Sequence, residues 1–533
     1  MATVLLVVVT LLALAWLIAR RRQRFLLFRD LGIPGPTPSL FSGNLSELIR
    51  KGAAEAFDEW IEQYGEFVGF FNGGTPVLIV KNLELIKAIQ IKDFANFHER
   101  GVVSNFSKTH PLGKVSLNNA SGERWKQMRS LLTPAFKISS MKKMVNLMDE
   151  CSNEFLGVVK QSSLDGGAIE VRRIFQKLAI DVIVRSAFGI RTGVQKHGSG
   201  TEMDQLLNET QKSVQQFRTG WLNFFISCFP ELSLIWRCIL AIRAHFMKLP
   251  TDNIKDGMLP IINMRRSNPH VQRDDLLQLM LNSEADDGAP INVHDLAAEY
   301  ESNPASQEQS ETRSCGQRRR RFLTNVEIQS NAVIFLIAGF ETASAVLTFT
   351  AYLLAKHQRV QDMLRAEIAS VMERDCHFTY DNVFAMRYLD QVILESMRIY
   401  TPFVGFITRT CQREYNHNGL KIPAGLSILI PAYQLHHDRD LWNEPNKFDP
   451  DRFSPENRGM INPMAFQPFG NGPRNCVGIR FAQLEMKLTL AKLLAKFRIK
   501  LDERHIKEDH LKLGSTFIFS YPQDGVWLEF EEI

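Results

Sequence analysis

The chain lacks any pair of cysteines spaced as Cys-x-x-Cys. Its seven cysteines (Cys151, Cys228, Cys238, Cys315, Cys376, Cys411 and Cys476) are odd in number and widely scattered. That spacing argues against a disulfide framework and a closed zinc site, and it suits a reducing compartment. Tyrosine is also scarce, nine residues against 36 phenylalanines, as suits an interior that needs apolar bulk without hydroxyls to satisfy. Charge of one sign is nearly absent: 63 Lys and Arg against 58 Asp and Glu leave +5, and no basic stripe interleaves with aromatics. That balance excludes nucleic acid as a partner. No internal repeat is present, which removes solenoids. With 45% hydrophobic and 23% charged residues, the composition is that of a globular protein.

What is present begins with an uncharged apolar run over residues 2–19, followed by Arg20, Arg21, Arg22 and Arg24. As a helix this run reaches about 27 Å, close to the ~30 Å of a bilayer's hydrocarbon. A cleaved signal carries its charge before the apolar stretch. Here the charge follows, so the run reads as an uncleaved transmembrane anchor with the remainder in the cytosol. Residues 20–38 form a basic stop-transfer segment and a proline-rich hinge, Leu31-Gly32-Ile33-Pro34-Gly35-Pro36-Thr37-Pro38. A second apolar stretch, Trp221 to Ile242, contains Pro230, Glu231 and Arg237. It reads as a surface that dips into the lipid interface or as a buried helix pair, not as a span.

Residues 39–533 show no composition break that divides them. Short strands such as Pro76 to Val80 precede long helical patterns, giving a mainly α chain with a small β portion. Residues 283–321 are polar and end in Arg318-Arg319-Arg320-Arg321, the composition of a mobile surface insertion.

Four constellations carry chemistry. In Phe469-Gly470-Asn471-Gly472-Pro473-Arg474-Asn475-Cys476-Val477-Gly478, two glycines and a proline make a tight turn that a flat ligand can approach. The following segment repeats apolar residues at helical spacing, with Glu485, Lys492 and Lys496 elsewhere on the wheel. Cys476 therefore stands at a helix N-terminus, which favours its thiolate. Upstream, Thr324-Asn325-Val326-Glu327 is a capping-box start for an apolar helix running to about His357. Within it lies Ala338-Gly339-Phe340-Glu341-Thr342, a polar pair where desolvation is expensive. A purely local reading has Thr342 bonding back to its own helix and Glu341 finding a cation. Third, Glu395 and Arg398 are neighbours on one face of an apolar helix. Fourth, Trp125 and Arg129 share a helix face.

These motifs, in this order, resemble the cytochrome P450 family, a haem-thiolate monooxygenase family. The cysteine loop, the Ala338–Thr342 stretch, the Glu395-x-x-Arg398 pair and Trp125-x-x-x-Arg129 each match a family motif. Arg452 in Phe448-Asp449-Pro450-Asp451-Arg452-Phe453 matches the third member of the Glu-x-x-Arg set, although Asp451 stands where the family more often has glutamate. Finer detail looks most like the microsomal branch, which includes xenobiotic and steroid oxidisers and thromboxane synthase.

The resemblance implies the P450 fold and haem b, with Cys476 as the iron's axial ligand. Phe469, Gly478, Ala338 and Gly339 would border the ring, and Trp125, Arg129, Arg409, Arg474 and, more loosely, Arg100 would hold its propionates. Thr342 would hold a proton-donating water and Glu341 would feed protons towards it. Gly339 would leave room for oxygen, aided by a local opening of the helix. Glu395, Arg398 and Arg452 would fold the cysteine side.

Electrons would come from NADPH through NADPH-cytochrome P450 reductase, with a small cytochrome b as a second donor. Lys126 would be among the basic residues that meet such a partner. A lipophilic substrate would sit against Phe335, Ala338, Phe403, Val404, Phe517 and the stretch from Ser104 to Leu112. The expected location is the endoplasmic reticulum membrane, single-pass, with the catalytic body cytosolic. The alternative within the resemblance is a haem-thiolate isomerase of the thromboxane-synthase type, and the intact Glu341-Thr342 pair tells against it.

Overall fold

The computed structural model describes residues 2–101, 115–164, 166–195, 205–206, 208–213, 220–246, 248–268, 270, 272–283, 322–515 and 518–533. The expected insertion, apart from Ser283, lies outside them, as do the Ser104 to Leu112 stretch and Phe517.

The helices around the site are α1 (Ala2–Phe25), α2 (Gly122–Leu132), α3 (Ile138–Leu164), α4 (Val171–Phe188), α5 (Trp221–Cys228), α6 (Ser233–Phe246), α7 (Asn325–Lys356), α8 (Arg387–Ile399) and α9 (Ile479–Lys496). The largest apolar cluster is built about α7, with side chains from α3, α4, α8 and α9. The capping box forms as expected: Glu327 N–H donates to Thr324 Oγ1 at 3.3 Å, and the Thr324 N–H donates to Glu327 Oε2 at 2.8 Å. The helix ends at Lys356 with His357 as its C-cap. α7 is apolar all round and long enough to cross a membrane, but 78% of its apolar window is buried inside the protein. Its composition serves the core.

Strands are few and short. β1 (Phe67–Asn72), β2 (Thr75–Val80), β7 (Ser427–Leu429) and β4 (Thr408–Thr410) form one sheet in the order β1-β2-β7-β4. In it β2 and β7 are parallel and the other pairs antiparallel. A three-stranded sheet joins β3 (Ile169–Glu170), β11 (Trp527–Glu532) and β8 (Phe497–Leu501). The chain is mainly α with a small β portion.

Helix α1 leaves its apolar side chains exposed, Val4, Leu5 and Leu12 among them. α5 and the helical stretch from Pro230 form a pair bent by 98°. α5 buries Leu222 and Ile226, whereas Leu234, Ile235, Ile242 and Phe246 of α6 are exposed. Glu231, at the bend, receives Arg24 at 3.0 Å and Arg21 at 3.5 Å, so the base of α1 is clasped to this apolar surface.

One expectation about α9 fails. The spacing predicts a polar face at Glu485, Lys492 and Lys496, yet the first two are buried and only Lys496 of the three is exposed. α3 and several other elements surround α9. Lys492 reaches out to Asp149, while Glu485 Oε1 has no hydrogen-bond partner, and burial drives that carboxyl well above its usual range.

Candidate active site

The cysteine loop is shaped by its glycines. Gly470 (φ 71°) and Gly472 (φ 70°) adopt the left-handed conformation, and a Cβ on Gly472 would collide with the Gln90 carbonyl. Gln90 lies in a π-helical turn, Ala88–Lys92, and its Nε2 donates to Gln467 Oε1 at 2.8 Å. The loop closes when Cys476 N–H donates to the Phe469 carbonyl at 2.9 Å. Gly478 is the N-cap of α9, and its N–H faces the Cys476 sulfur. The thiol is open on one side but deep in the molecule. Burial pushes it up, against the pull of the Gly478 N–H, Arg129 and Arg100. The helix N-terminus alone does not make it a thiolate. A coordinating metal does.

Four arginines gather near this sulfur. Arg129 donates from Nη1 to the Asn475 carbonyl and from Nη2 to Asn475 Oδ1, both at 2.7 Å. Arg474 stacks over the Trp125 ring at 4.2 Å and donates to the carbonyls of His98 (2.8 Å) and Ala120 (2.7 Å). Arg100 lies over the Phe406 ring at 4.2 Å and donates to the Phe406 carbonyl at 3.0 Å. Arg409, 1% exposed, makes one bond, to the Thr408 carbonyl at 2.8 Å. Burial and mutual repulsion lower the pKa of three of them: Arg409 to about 9 through burial and Arg100, Arg100 to about 10 through burial and Arg129, and Arg474 well below its usual range through burial and its three arginine neighbours.

Among the described residues no carboxylate forms an ion pair with any of the four. The Nε atoms of Arg100 and Arg409 are buried with no partner. So concentrated a buried cation cluster needs an anion. A group bearing carboxylates, and a metal that takes a thiolate, meets both demands, and haem is such a group.

On α7, Ala338 is exposed and Gly339 and Thr342 are partly exposed, in the middle of a buried helix. The bonds at Thr342 and Glu341 follow the local reading. Thr342 Oγ1 donates to the Ala338 carbonyl at 2.8 Å, and buried Glu341 receives Arg172 Nη2 at 2.5 Å and Gln176 Nε2 at 3.2 Å. The expectation for Gly339 needs correction. The helix is continuous there, and a Cβ on Gly339 would come within 2.9 Å of Ile183 on α4, so the missing side chain serves helix packing.

Phe335 is buried against Phe136 (ring centroids 5.8 Å), and Phe136 also meets Phe481 (6.5 Å). A Cβ on Gly478 would touch Phe136 at 3.6 Å, so this ring joins α7 to the cysteine loop. Phe403 stacks on Phe406 at 5.2 Å, and Val404 is buried in the cluster with Trp60 and Phe70. Lys126 is no docking charge: it is 8% exposed, and burial lowers its pKa.

The ion triad forms as the sequence suggested. Glu395 receives Arg398 Nε (2.7 Å) and Nη2 (2.8 Å), the Asp449 N–H (3.0 Å) and Arg452 Nε (3.3 Å). Arg398 also donates to the carbonyls of His436 and Pro445, tying α8 to the segment ahead of the cysteine loop.

Sequence reasoning missed Gln90, Phe136, Phe406, Asn475 and Arg172. Only Asn475, adjacent to Cys476, carried any local signal.

Comparison with known proteins agrees with this geometry. The family model described as Cytochrome P450 matches residues 33–303 and 307–525. The chain is 32% identical over 497 residues to cytochrome P450 3A6 of Oryctolagus cuniculus, covering 92% of this chain and 89% of that protein. It is 33% identical over 475 residues to cytochrome P450 3A2 of Rattus norvegicus, covering 88% and 86%. It is 31% identical over 516 residues to the lithocholate 6-beta-hydroxylase of Mesocricetus auratus, covering 94% and 92%. With a matched loop, triad and cation cluster on one scaffold, the chain belongs to the cytochrome P450 family and is an oxidoreductase of the monooxygenase class.

Proposed function

We propose that the protein is an endoplasmic-reticulum haem-thiolate monooxygenase that oxidises lipophilic molecules of the xenobiotic and steroid kind. NADPH would supply the electrons through NADPH-cytochrome P450 reductase, with a small cytochrome b as an auxiliary donor. The observation that carries this reading is the cluster of Arg100, Arg129, Arg409 and Arg474 at the cysteine loop, with Arg409 and Arg474 buried and no carboxylate ion-paired to any of the four among the described residues.

Haem b, when bound, supplies the redox chemistry that places one atom of dioxygen in the substrate and the other in water. The chain's own residues do the rest. Cys476 Sγ would hold the iron, with the Gly478 N–H steadying the sulfur's negative charge. Arg409 and Arg100 offer their unpartnered Nε–H groups to propionate oxygens, while Arg129, and Arg474 braced on Trp125, complete the positive field. Phe469 and Gly478 border the cysteine side, Ala338 and Gly339 the opposite side. Thr342 Oγ1 turns from the Ala338 carbonyl to hold a water, and that water passes its proton inward. Glu341, once a carboxylate oxygen leaves Arg172, takes up a proton from solvent and passes it to that water. Phe335, Phe403 and Val404 belong to the apolar surroundings that select the substrate.

Helix α1 anchors this body, with residues 20–38 as stop-transfer and hinge and residues 39–533 cytosolic. The exposed apolar face of α6 rests on the same membrane. The positive charge that follows the anchor and the Arg24–Glu231 pair support this orientation.

The test is a Soret titration with steroids, bile acids, fatty acids and xenobiotics, followed by turnover of whichever compound shifts the band. Product formation that needs NADPH, reductase and oxygen supports the proposal. Turnover of a peroxide substrate without them replaces it with the isomerase.

A further inference from the structure

A second cavity lies outside the site above. It has a volume of about 490 Å³, within the range of small-molecule sites. Its walls come from the start of α4, from Asn208 and Gln211, and from the chain after β10 (Ser520–Pro522). Its functional groups are mostly donors. Two carboxylates lie at or behind it, and both are engaged. Glu170 accepts the backbone N–H groups of Arg172 (3.2 Å) and Arg173 (3.0 Å), and Glu341 holds Arg172 Nη2 and Gln176 Nε2. Gln176 Oε1 is taken by Gln211 Nε2 at 2.8 Å. That leaves the exposed Arg173 guanidinium, which makes no ion pair among the described residues, and Arg172 Nε, which is buried with no hydrogen-bond partner. Beside them the Tyr521 ring lies under Arg172 at 5.7 Å, with Pro522 next to it, giving a flat apolar shelf.

We propose that this cleft binds a ring-bearing organic anion, a sulfonate, sulfate or carboxylate. The anionic head would lie against Arg173 and the accessible part of Arg172, whose side chain is 25% exposed, and the ring on Tyr521 and Pro522. Arg172 is then shared between the ligand and Glu341. Two negative groups compete for one guanidinium, so each weakens the other's hold on it. The site shares Arg172 with Glu341 of the function proposed above but does not rest on that reading, and binding alone tests it.

The experiment is a calorimetric titration of the haem-loaded full chain with naphthalene-2-sulfonate, with naphthalene-2-sulfonamide as the uncharged control and the Soret band followed in parallel. One saturable site that leaves the Soret band unmoved is expected, with the sulfonamide at least about tenfold weaker. Arg173→Glu, at an exposed position, should weaken the sulfonate by about tenfold or more. Glu341→Gln, which removes the competing charge, should tighten it by roughly threefold. A Soret shift on binding would put the ligand in the haem pocket and overturn the proposal. So would unchanged affinity in Arg173→Glu, or equal binding of the two probes. Unchanged affinity in Glu341→Gln would remove the sharing of Arg172.

Discussion

Arg409→Met should act in opposite directions on the haem-free and haem-loaded protein. In the haem-free chain the Arg409 guanidinium is 1% exposed, keeps one hydrogen bond, leaves Nε unpaired and faces Arg100. Arginine stays charged in proteins, so a pKa lowered from the guanidinium's ordinary value to about 9 expresses the cost of holding that charge there. At about 1.36 kcal/mol per pH unit the upper bound is about 5 kcal/mol. Replacing buried ionic groups with apolar ones of similar volume typically gains about 1–4 kcal/mol, the range to expect here. The sign follows from proton binding. Both states hold the proton below pH 9, so the penalty is complete at neutral pH and would relax only as pH rises from about 9 towards the guanidinium's ordinary pKa. Urea unfolding of the haem-free variant at pH 7 should therefore show a higher midpoint than the wild type. With haem bound, the same change removes a charge-assisted bond of about 1.5–3 kcal/mol, and haem should pass to a colourless acceptor protein about 10–100 times faster. A less stable haem-free variant, or unchanged haem loss, would refute the cation-cluster reasoning.

Thr342→Ala should bind haem with a normal spectrum but divert reducing equivalents to hydrogen peroxide, measured as the ratio of product to NADPH consumed; full coupling removes Thr342 from proton delivery. Glu395→Ala strands Arg398, which has no exposure, and should cost about 3–5 kcal/mol in denaturant unfolding together with most haem incorporation. Gly339→Ala should cost about 1–3 kcal/mol by pressing on Ile183, and adding Ile183→Val should recover part of it; strict additivity in that double-mutant cycle would show that the two positions do not touch.

Much of this was readable from the chain because it is encoded locally. The capping box of α7, the turn before Cys476 and the Glu395-x-x-Arg398 pair each lie within a few residues, where spacing fixes geometry. The resemblance extended that reading to Arg409 and Arg474, which are remote from one another in sequence. What could not be read depends on contacts between distant segments. Glu341 meets Arg172 because α4 lies along α7, and no spacing in either helix announces it. Gly339 looked like space for a ligand, but an isoleucine from another helix fills that space. Lys126 and Glu485 are charged residues on helices that the fold covers on more than one side, so the wheel misled where tertiary packing decided.

The most direct test of the central assignment is the reduced carbon-monoxide spectrum of wild type and Cys476→Ala after reconstitution with excess haem. The wild type should show the red-shifted Soret band of thiolate ligation, and the variant should lose it while retaining its helical circular-dichroism signal. A folded variant that keeps the thiolate band would mean that another residue holds the iron.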